Sequence, residues 1–240
     1  MGEATERYAV VTGANKGIGL EIVRQLASEG IKVVLTARNE ERGLQAFETL
    51  KASPLSHLLF FHQLDVAHAT SVASFADFIK SKFGKLDILV NNAGINGIVI
   101  EDRDLFTKVL VNRGSFPKES WARGVLSDGD NLTEEKVDEI VKKFLSDFKE
   151  GSLESKGWPK YLGAYIVSKA AMNGYTRILA KKHPSFCINS VCPGYVKTDI
   201  TSNTGFLTVE EGAASPVNLA LLPNGSPSGL FYYRTDVASF

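Results

Sequence analysis

The chain has 240 residues, of which 44% are apolar and 22% charged, and its 27 basic side chains balance 27 acidic ones. This composition is typical of a folded globular protein and excludes a disordered chain or a repeat array. A net charge of zero gives no summed field toward nucleic acid or an anionic membrane, so neither partner is expected.

The size suits one α/β domain, so we predict a single domain over residues 1–240. Two cysteines, Cys187 and Cys192, are too few for a disulfide framework or a four-ligand zinc site, and we expect both thiols to be buried. The chain shows neither a membrane-spanning apolar run nor the apolar core of a signal peptide. The sequence therefore predicts a cytoplasmic protein without a metal site.

Strand-like and helix-like segments alternate along most of the chain. The predicted strands are 8–12, 32–36, 58–64, 86–90, 108–112, 187–192 and 230–233, and the predicted helices include 72–83, 164–182 and 209–222. Two further helical faces carry Ile22, Val23 and Leu26, and Leu44, Phe47 and Leu50. Unbroken apolar strands alternating with helices indicate a doubly wound parallel sheet, which binds ligands at the carboxyl ends of its strands.

Residues 118–160 depart from this alternation because they contain an amphipathic helix with no strand on either side. Thr133 can cap that helix, Glu134 and Glu135 suit its first turn, and Gly151 can end it. Its apolar face carries Val137, Ile140, Val141, Phe144, Leu145 and Phe148. We interpret this segment as a helical insert that either covers the carboxyl edge of the sheet or forms a peripheral solvated helix.

A glycine-rich loop follows the first strand and precedes a helix. It reads Thr12-Gly13-Ala14-Asn15-Lys16-Gly17-Ile18-Gly19. Such a loop lets a diphosphate approach the backbone, and the following helix offers free N–H groups and a positive dipole end. Its position between strand and helix predicts a dinucleotide site, and the spacing differs from that of a P-loop.

The residues after the second predicted strand indicate which dinucleotide binds. An Asp or Glu there would bind the ribose diol of NAD, but this chain has Arg38. Because Arg38 and Lys16 can both face a 2′-phosphate, the pair favours NADPH/NADP+. Asp65-Val66 and Asn91-Asn92-Ala93-Gly94 also follow predicted strands, where they either bind cofactor or serve the turn.

Tyr165 and Lys169 are the candidate proton-transfer pair. At i and i+4 on a helix they share a face, so the lysine ammonium can lower the pKa of the phenol from about 10 toward the working pH. A tyrosine in that environment can give a proton to a carbonyl oxygen while hydride arrives at the carbon.

These motifs, with Pro193-Gly194, resemble in order and spacing the short-chain dehydrogenase/reductases. The insert and the glycine loop resemble the carbonyl-reductase branch, with the plant menthone, neomenthol and salutaridine reductases. The resemblance implies a Rossmann-type α/β fold and NADPH-dependent, reversible reduction of a ketone or aldehyde. It also implies a monomer, because in that branch the insert covers the surface through which other members dimerise.

The same resemblance implies roles for individual residues. Tyr165 would be the general acid, and Lys169 would bind the nicotinamide ribose. Val196 and Thr198 would contact the nicotinamide end of the cofactor. Asp65 and Val66 would flank the adenine, and Asn92 would lie along the cofactor. With the loop, the predicted cofactor-binding set is Gly13, Asn15, Lys16, Gly17, Ile18, Gly19, Arg38, Asp65, Val66, Asn92, Tyr165, Lys169, Val196 and Thr198.

Between Gly94 and Trp121 the chain is shorter than the family pattern, which places a catalytic Asn on a long helix and a Ser after the next strand. Ser115 is the candidate for that serine, or else a surface-turn residue, and Asn112 is a weaker candidate for the Asn. The alternative function is therefore a catalytically impaired NADP(H)-binding protein or shortened isoform. A third interpretation is an unstable chain without function.

The expected substrate is a small hydrophobic carbonyl or alcohol, such as a terpenoid or alkaloid. Tyr195, Phe206 and Leu207, with the insert residues Trp121, Trp158 and Tyr161, either line an apolar pocket or belong to the core.

Overall fold

The computed structural model describes residues 6–95, 116–117 and 120–238. The predicted strand 108–112, Asn112 and Ser115 lie outside the described residues. The chain divides into two compact units, Met1–Ile95 with Pro193–Leu222 and Asn96–Cys192 with Pro223–Phe240. The single domain inferred from the sequence stays a prediction.

The described residues form seven strands and seven α-helices. In chain order these are β1 (Tyr8–Val11), α1 (Gly17–Ser28), β2 (Lys32–Ala37), α2 (Glu40–Lys51), β3 (Leu59–Gln63), α3 (Ala69–Phe83), β4 (Ile88–Val90), α4 (Trp121–Ser127), α5 (Glu134–Lys149), α6 (Gly163–Lys182), β5 (Ser190–Cys192), α7 (Val209–Ala220), β6 (Phe231–Tyr233) and β7 (Asp236–Ala238). Short 3-10 helices cover Ser56–Leu58 and Asp199–Thr201.

A four-stranded parallel sheet in the order β3-β2-β1-β4 forms the centre of the first unit. Val11 at the end of β1 pairs with Leu35 of β2 and with Val90 of β4. The carboxyl ends of these strands therefore lie at one edge, and the strand order reverses beside β1. Doubly wound sheets bind ligands at such a point. The predicted α/β fold is confirmed, and the glycine loop lies at this edge.

Apolar side chains cover both faces of this sheet. On one face Val11 and Leu35 pack with Leu26 of α1 and Val217 of α7. On the other face Val10 and Val34 pack with Phe75 and Ile79 of α3. The alternation follows from the two-residue period of a strand, and it explains why the strands read as unbroken apolar runs.

The second unit contains a three-stranded sheet in the order β5-β6-β7. β6 pairs in parallel with β5, as the sequence pattern indicates, and antiparallel with β7, which was not predicted. The turn between β6 and β7 places Arg234 at φ 58°, a conformation usually taken by glycine or asparagine. The hairpin therefore lacks the sequence signal by which such turns are recognised.

The helix of the insert, α5, begins and ends as the sequence predicts. The backbone N–H of Lys136 donates to the Thr133 side chain at 3.4 Å, and Gly151 follows the helix at φ 68°. Ile140 and Phe144 pack in one core with Val167 of α6, so α5 is not a solvated peripheral helix. Its predicted cover over the sheet edge stays a prediction.

Four side chains differ in burial from their expectations. Leu145 and Phe148 of the predicted apolar face are 50% and 63% exposed. The expectation that both cysteines are buried is also wrong, since Cys187 is exposed and Cys192 half-buried. The physical reason is that β5 begins only at Ser190, which leaves Cys187 in the preceding connection.

No helix within residues 6–95, 116–117 and 120–238 is long and apolar enough to cross a membrane.

Candidate functional site

The glycine loop of the first unit is held between two strands. The backbone N–H of Thr12 donates to the carbonyl of Val90 at 3.0 Å, and that of Ala14 to the carbonyl of Thr36 at 2.8 Å. Between them Gly13 has φ 62°, and a Cβ at this position would lie 2.8 Å from the Cα of Ala93. Only glycine meets both conditions, so the loop needs Gly13 for its turn and its close approach to the segment after β4.

Asn92 ties that segment to the loop. Its side-chain amide donates to the carbonyls of Thr12 and Gly13 at 3.0 and 3.1 Å, and the N–H of Ala93 donates to the Thr12 hydroxyl at 3.0 Å. A Cβ at Gly19 would overlap the Asn92 amide and the Gly13 carbonyl. Asn92 therefore fixes the shape of the loop through the backbone, while its predicted contact with a cofactor stays a prediction.

The start of α1 is suited to an anion. Its N-cap residue, Lys16, makes no side-chain capping bond within the described residues, and the first turn carries no acidic side chain. The opening N–H groups of any helix lack intrahelical partners, and here they meet the positive end of the helix dipole. Gly17 is only half-buried and leaves the backbone at the helix start accessible, as a diphosphate requires.

The two predicted 2′-phosphate ligands are both exposed cations of the first unit. Arg38 directly follows β2, and its backbone carbonyl accepts a hydrogen bond from the Gln63 side chain at 3.0 Å. Lys16 forms an ion pair with Asp199, with 2.5 Å between Nζ and Oδ2. The ammonium lowers the pKa of the Asp199 carboxyl below its ordinary value.

Sequence reasoning did not identify Asp199. The two partners are 183 residues apart, so no local pattern joins them. One signal was available in the sequence. Thr198 is a predicted site residue, and the residue directly after it is acidic and so opposite in charge to Lys16 of the loop.

Asp65 and Val66 follow β3 and have different environments. Asp65 is half-buried, and its side chain accepts the N–H of Ala67 at 3.0 Å. That bond is the turn chemistry that the sequence left open as an alternative. Val66 is 51% exposed, so its side chain is accessible to a planar ligand at this edge.

Val196 and Thr198 lie on a segment anchored to the rest of the first unit. Val196 is 2% exposed, and a Cβ at Gly212 of α7 would overlap its side chain. Any contact of Val196 with a cofactor would therefore come from its backbone. The Thr198 methyl group lies 3.6 Å from the place of a Cβ at Gly17, so this segment meets the glycine loop.

The proton-transfer pair lies on α6 of the second unit. The Nζ atom of Lys169 is 5.8 Å from the centroid of the Tyr165 ring, and both residues are half-buried. Burial lowers the pKa of Lys169 below its ordinary value, while Cys192 acts in the opposite direction. A cation in such surroundings is less screened than in water, so its effect on a neighbouring phenol is stronger.

Ser168, inside the same motif, is turned away. It is exposed, and its hydroxyl donates to the backbone carbonyl of Tyr165 at 2.8 Å. Its hydroxyl therefore bonds the helix backbone rather than a substrate.

The aromatic residues predicted at a substrate pocket fall into three groups. Tyr195 and Phe206 of the first unit contact each other edge to face at 5.7 Å, and Phe206 is 77% exposed. In the second unit Trp158 is 4% exposed and belongs to the insert core, so the core interpretation holds for it. Trp121 and Tyr161 are 45% and 47% exposed.

Residues 7–112 match the protein family described as short chain dehydrogenase. The chain is 48% identical to (+)-neomenthol dehydrogenase of Arabidopsis thaliana, in an alignment of 296 positions that covers all of both chains. The solved structure of salutaridine reductase from Papaver somniferum is 40% identical, with a TM-score of 0.84, over 95% of this chain and 99% of that one.

A more distant structure shares the fold and was solved with a nucleotide. The alcohol dehydrogenase from the archaeon Thermococcus sibiricus, complexed with 5-hydroxy-NADP, is 25% identical. Its TM-score is 0.60 over 93% of this chain and 94% of that one. Together with the parallel sheet, the glycine loop and the Tyr-Lys pair, these likenesses establish that the chain belongs to the short-chain dehydrogenase/reductase family of oxidoreductases.

Proposed function

We propose that the chain is an NADPH-dependent reductase that converts a ketone or aldehyde to the alcohol, and that the reaction is reversible. The observation that carries this proposal is the placement of the Lys169 ammonium 5.8 Å from the Tyr165 ring on one face of α6. In an oxidoreductase family, that pair supplies the proton that carbonyl reduction requires.

The residues of the first unit fit a dinucleotide. The close contacts around Gly13 and Gly19 leave no room for a Cβ, and the start of α1 offers N–H groups to a diphosphate. Arg38 and Lys16 supply positive charge for a 2′-phosphate, and the related alcohol dehydrogenase solved with 5-hydroxy-NADP supports this choice. Bound there, NADPH would supply the hydride.

The proton comes from Tyr165. Its hydroxyl donates to the carbonyl oxygen, which becomes the alcohol oxygen as the carbon accepts hydride. Because an ammonium within reach of a phenol favours the phenolate, Lys169 eases loss of that proton. In the reverse direction the phenolate accepts the proton of the alcohol. Positioned acid–base groups of this kind contribute about 10²- to 10⁴-fold in rate.

We further propose a hydrophobic substrate of the terpenoid or alkaloid class. Two relatives that align over at least 95% of this chain are named for neomenthol and salutaridine. Exposed aromatic side chains such as Phe206 would offer apolar contact to such a molecule. The monomeric state and the cytoplasmic location inferred from the sequence accompany this proposal as predictions.

The alternative is a cofactor-binding protein with impaired turnover, resulting from an internal shortening between Gly94 and Trp121. The alignment with neomenthol dehydrogenase runs over 296 positions although the chain has 240 residues, so it contains positions that this chain lacks. That these positions fall between Gly94 and Trp121 is part of the proposal. The alternative depends on whether Ser115 replaces the serine of the family pattern.

The test is a stoichiometric conversion. Purified protein is incubated with NADPH and menthone, and the alcohol formed is compared with the NADPH consumed. We expect one alcohol per NADPH and a thermal midpoint that NADPH raises, because the ligand binds only the folded chain. A raised midpoint with no alcohol from a panel of bulky ketones and aldehydes would favour the impaired alternative. An unchanged midpoint would contradict both functions.

A further inference from the structure

The ion pair between Lys16 and Asp199 lies beside the glycine loop of the first unit. Its Nζ and Oδ2 atoms are 2.5 Å apart, and the two side chains are 60% and 64% exposed. The residue before Asp199, Thr198, contacts the same loop at Gly17. Two neighbouring contacts thus hold the Thr198–Asp199 segment against the start of α1.

Asp199 is held in place by its own segment. The side chains of Thr198 and Thr201 cap the 3-10 helix that begins at Asp199. The Thr201 hydroxyl also donates to the carbonyl of Val196 at 2.7 Å, and Val196 is buried. The carboxylate therefore extends from an anchored turn, so its contact with Lys16 does not depend on a freely moving surface chain.

The Lys16–Asp199 ion pair affects the proposed preference for NADPH over NADH. Lys16 is one of two cations assigned to the 2′-phosphate, the group that distinguishes NADPH from NADH. A carboxylate in direct contact cancels the unit charge of the ammonium at longer range. A phosphate approaching Lys16 then meets a neutral pair, whereas Arg38 forms no ion pair with any residue in the described part of the chain.

We propose that Asp199 is a specificity-determining residue that limits the preference for NADPH over NADH by neutralising Lys16. This inference rests on the proposed function. It predicts that removal of the Asp199 charge makes the preference stronger. Because both partners are exposed, the expected change in the ratio of dissociation constants is about two- to fivefold, the range found for exposed ion pairs.

The experiment measures binding, so that activity is not needed. Dissociation constants for NADPH and for NADH are determined by fluorescence titration at low ionic strength, and each variant is checked by thermal melting. The variants are Asp199→Asn, Asp199→Ser, Lys16→Ala, Lys16→Ala with Asp199→Asn, and Lys16→Ala with Arg38→Ala. Asp77→Asn is the matched control, because Asp77 is exposed on α3 and makes no ion pair or hydrogen bond in the part of the chain described.

We expect Asp199→Asn and Asp199→Ser to raise the NADPH preference and Asp77→Asn to leave it unchanged. Repulsion between Asp199 and the diphosphate affects both coenzymes equally and cancels in the ratio. In the Lys16→Ala background, Asp199→Asn should not change the ratio, since the effect acts through Lys16. High salt should reduce the difference between wild type and Asp199→Asn.

Two results would overturn the inference in distinguishable ways. If Lys16→Ala lowers the NADPH preference but both Asp199 variants leave it unchanged or lower it, Asp199 does not compete for Lys16, and the proposed function stands. If Lys16→Ala combined with Arg38→Ala leaves the preference unchanged, the 2′-phosphate assignment itself fails, and the inference fails with it.

Discussion

The side-chain amide of Asn92 donates a hydrogen bond to the carbonyl oxygen of Gly13 across 3.1 Å. A second bond from the same amide reaches the Thr12 carbonyl at 3.0 Å. One side chain after β4 thus fixes two successive carbonyls of the loop after β1. The loop is therefore preorganised by the chain itself, which reduces the ordering that a dinucleotide would otherwise have to bring about.

Replacement of Gly19 by alanine should disrupt this arrangement. The added Cβ would overlap the Asn92 amide and the Gly13 carbonyl, so the loop must shift. Overpacking of this kind typically costs about 1–3 kcal/mol, and we expect NADPH affinity to fall by about tenfold to a hundredfold. Fluorescence titration measures the change.

Gly124→Ala is the matched control. Gly124 lies within α4, and apart from the neighbouring backbone of that helix, no heavy atom of the described residues is within 4 Å of its added Cβ. Its NADPH affinity should equal that of wild type, and its thermal midpoint should be equal or higher, since alanine favours a helix. Equal affinities for the Gly19 and Gly124 variants would show that the loop tolerates the shift.

A second prediction concerns the buried carboxylate of the insert. Asp147 accepts hydrogen bonds from Lys156 at 2.7 Å and from the indole of Trp158 at 2.8 Å, and these bonds lower its pKa. The ionised carboxylate stabilises the fold at pH values above about 3.9, the pKa of an Asp carboxyl in the unfolded chain. This stabilisation is lost as the pH falls through the lower pKa that the carboxyl has in the folded chain. We expect the insert to loosen in that acid range.

Trp158 fluorescence follows this change, in a Trp121→Phe background that leaves it as the sole tryptophan. Asp147→Asn in that background should have a lower thermal midpoint at neutral pH and a smaller loss of stability on acidification. Identical acid profiles with and without the Asp147 carboxylate would show that this carboxylate does not stabilise the insert.

Asp147 also shows what a helical sequence pattern does not predict about burial. The 3.6-residue period correctly placed Val137, Ile140 and Phe144 inside, but it also predicted Leu145 and Phe148 there. The buried face instead includes Asp147, because its partners come from the irregular segment after α5. No local period reports partners that lie 9 and 11 residues away in a loop.

The glycine loop shows the opposite case. The requirement at Gly13 for positive φ is local steric chemistry, so the residues themselves predict the turn. The parallel strands are also predictable, because a sheet buried on both faces needs unbroken apolar runs. The Lys16–Asp199 pair depends instead on tertiary contact, and β7 depends on a turn in which Arg234 replaces the usual residue.

A third prediction concerns Ser115. If it replaces the serine of the family pattern, Ser115→Ala removes a hydrogen bond to the carbonyl oxygen and lowers the rate of ketone reduction by about 100- to 1000-fold. NADPH affinity should not change. Ser168→Ala is the control, because its hydroxyl binds the backbone of its own helix. Equal rates for the two variants would contradict a catalytic role for Ser115.

Removal of the Lys169 charge should change the pH dependence of the reverse reaction. Alcohol oxidation needs the Tyr165 phenolate, which the ammonium favours, so Lys169→Met should move the rising limb of the profile to higher pH. Lys182→Gln on the same helix is the control, since Lys182 is exposed and 3.4 Å from Glu134. A profile unchanged in Lys169→Met would mean that the lysine does not tune the tyrosine.

The most direct test compares Tyr165→Phe with Tyr175→Phe in a single turnover. Bound NADPH is mixed with menthone, and loss of the reduced-nicotinamide absorbance is followed after NADPH affinity has been measured for each protein. Tyr175 is an exposed residue of the same helix. We predict that Tyr175→Phe binds NADPH like wild type and keeps the wild-type rate, and that Tyr165→Phe, saturated with NADPH, loses about 10²- to 10⁴-fold in rate. A wild-type rate in Tyr165→Phe would contradict the assignment of Tyr165 as the proton donor.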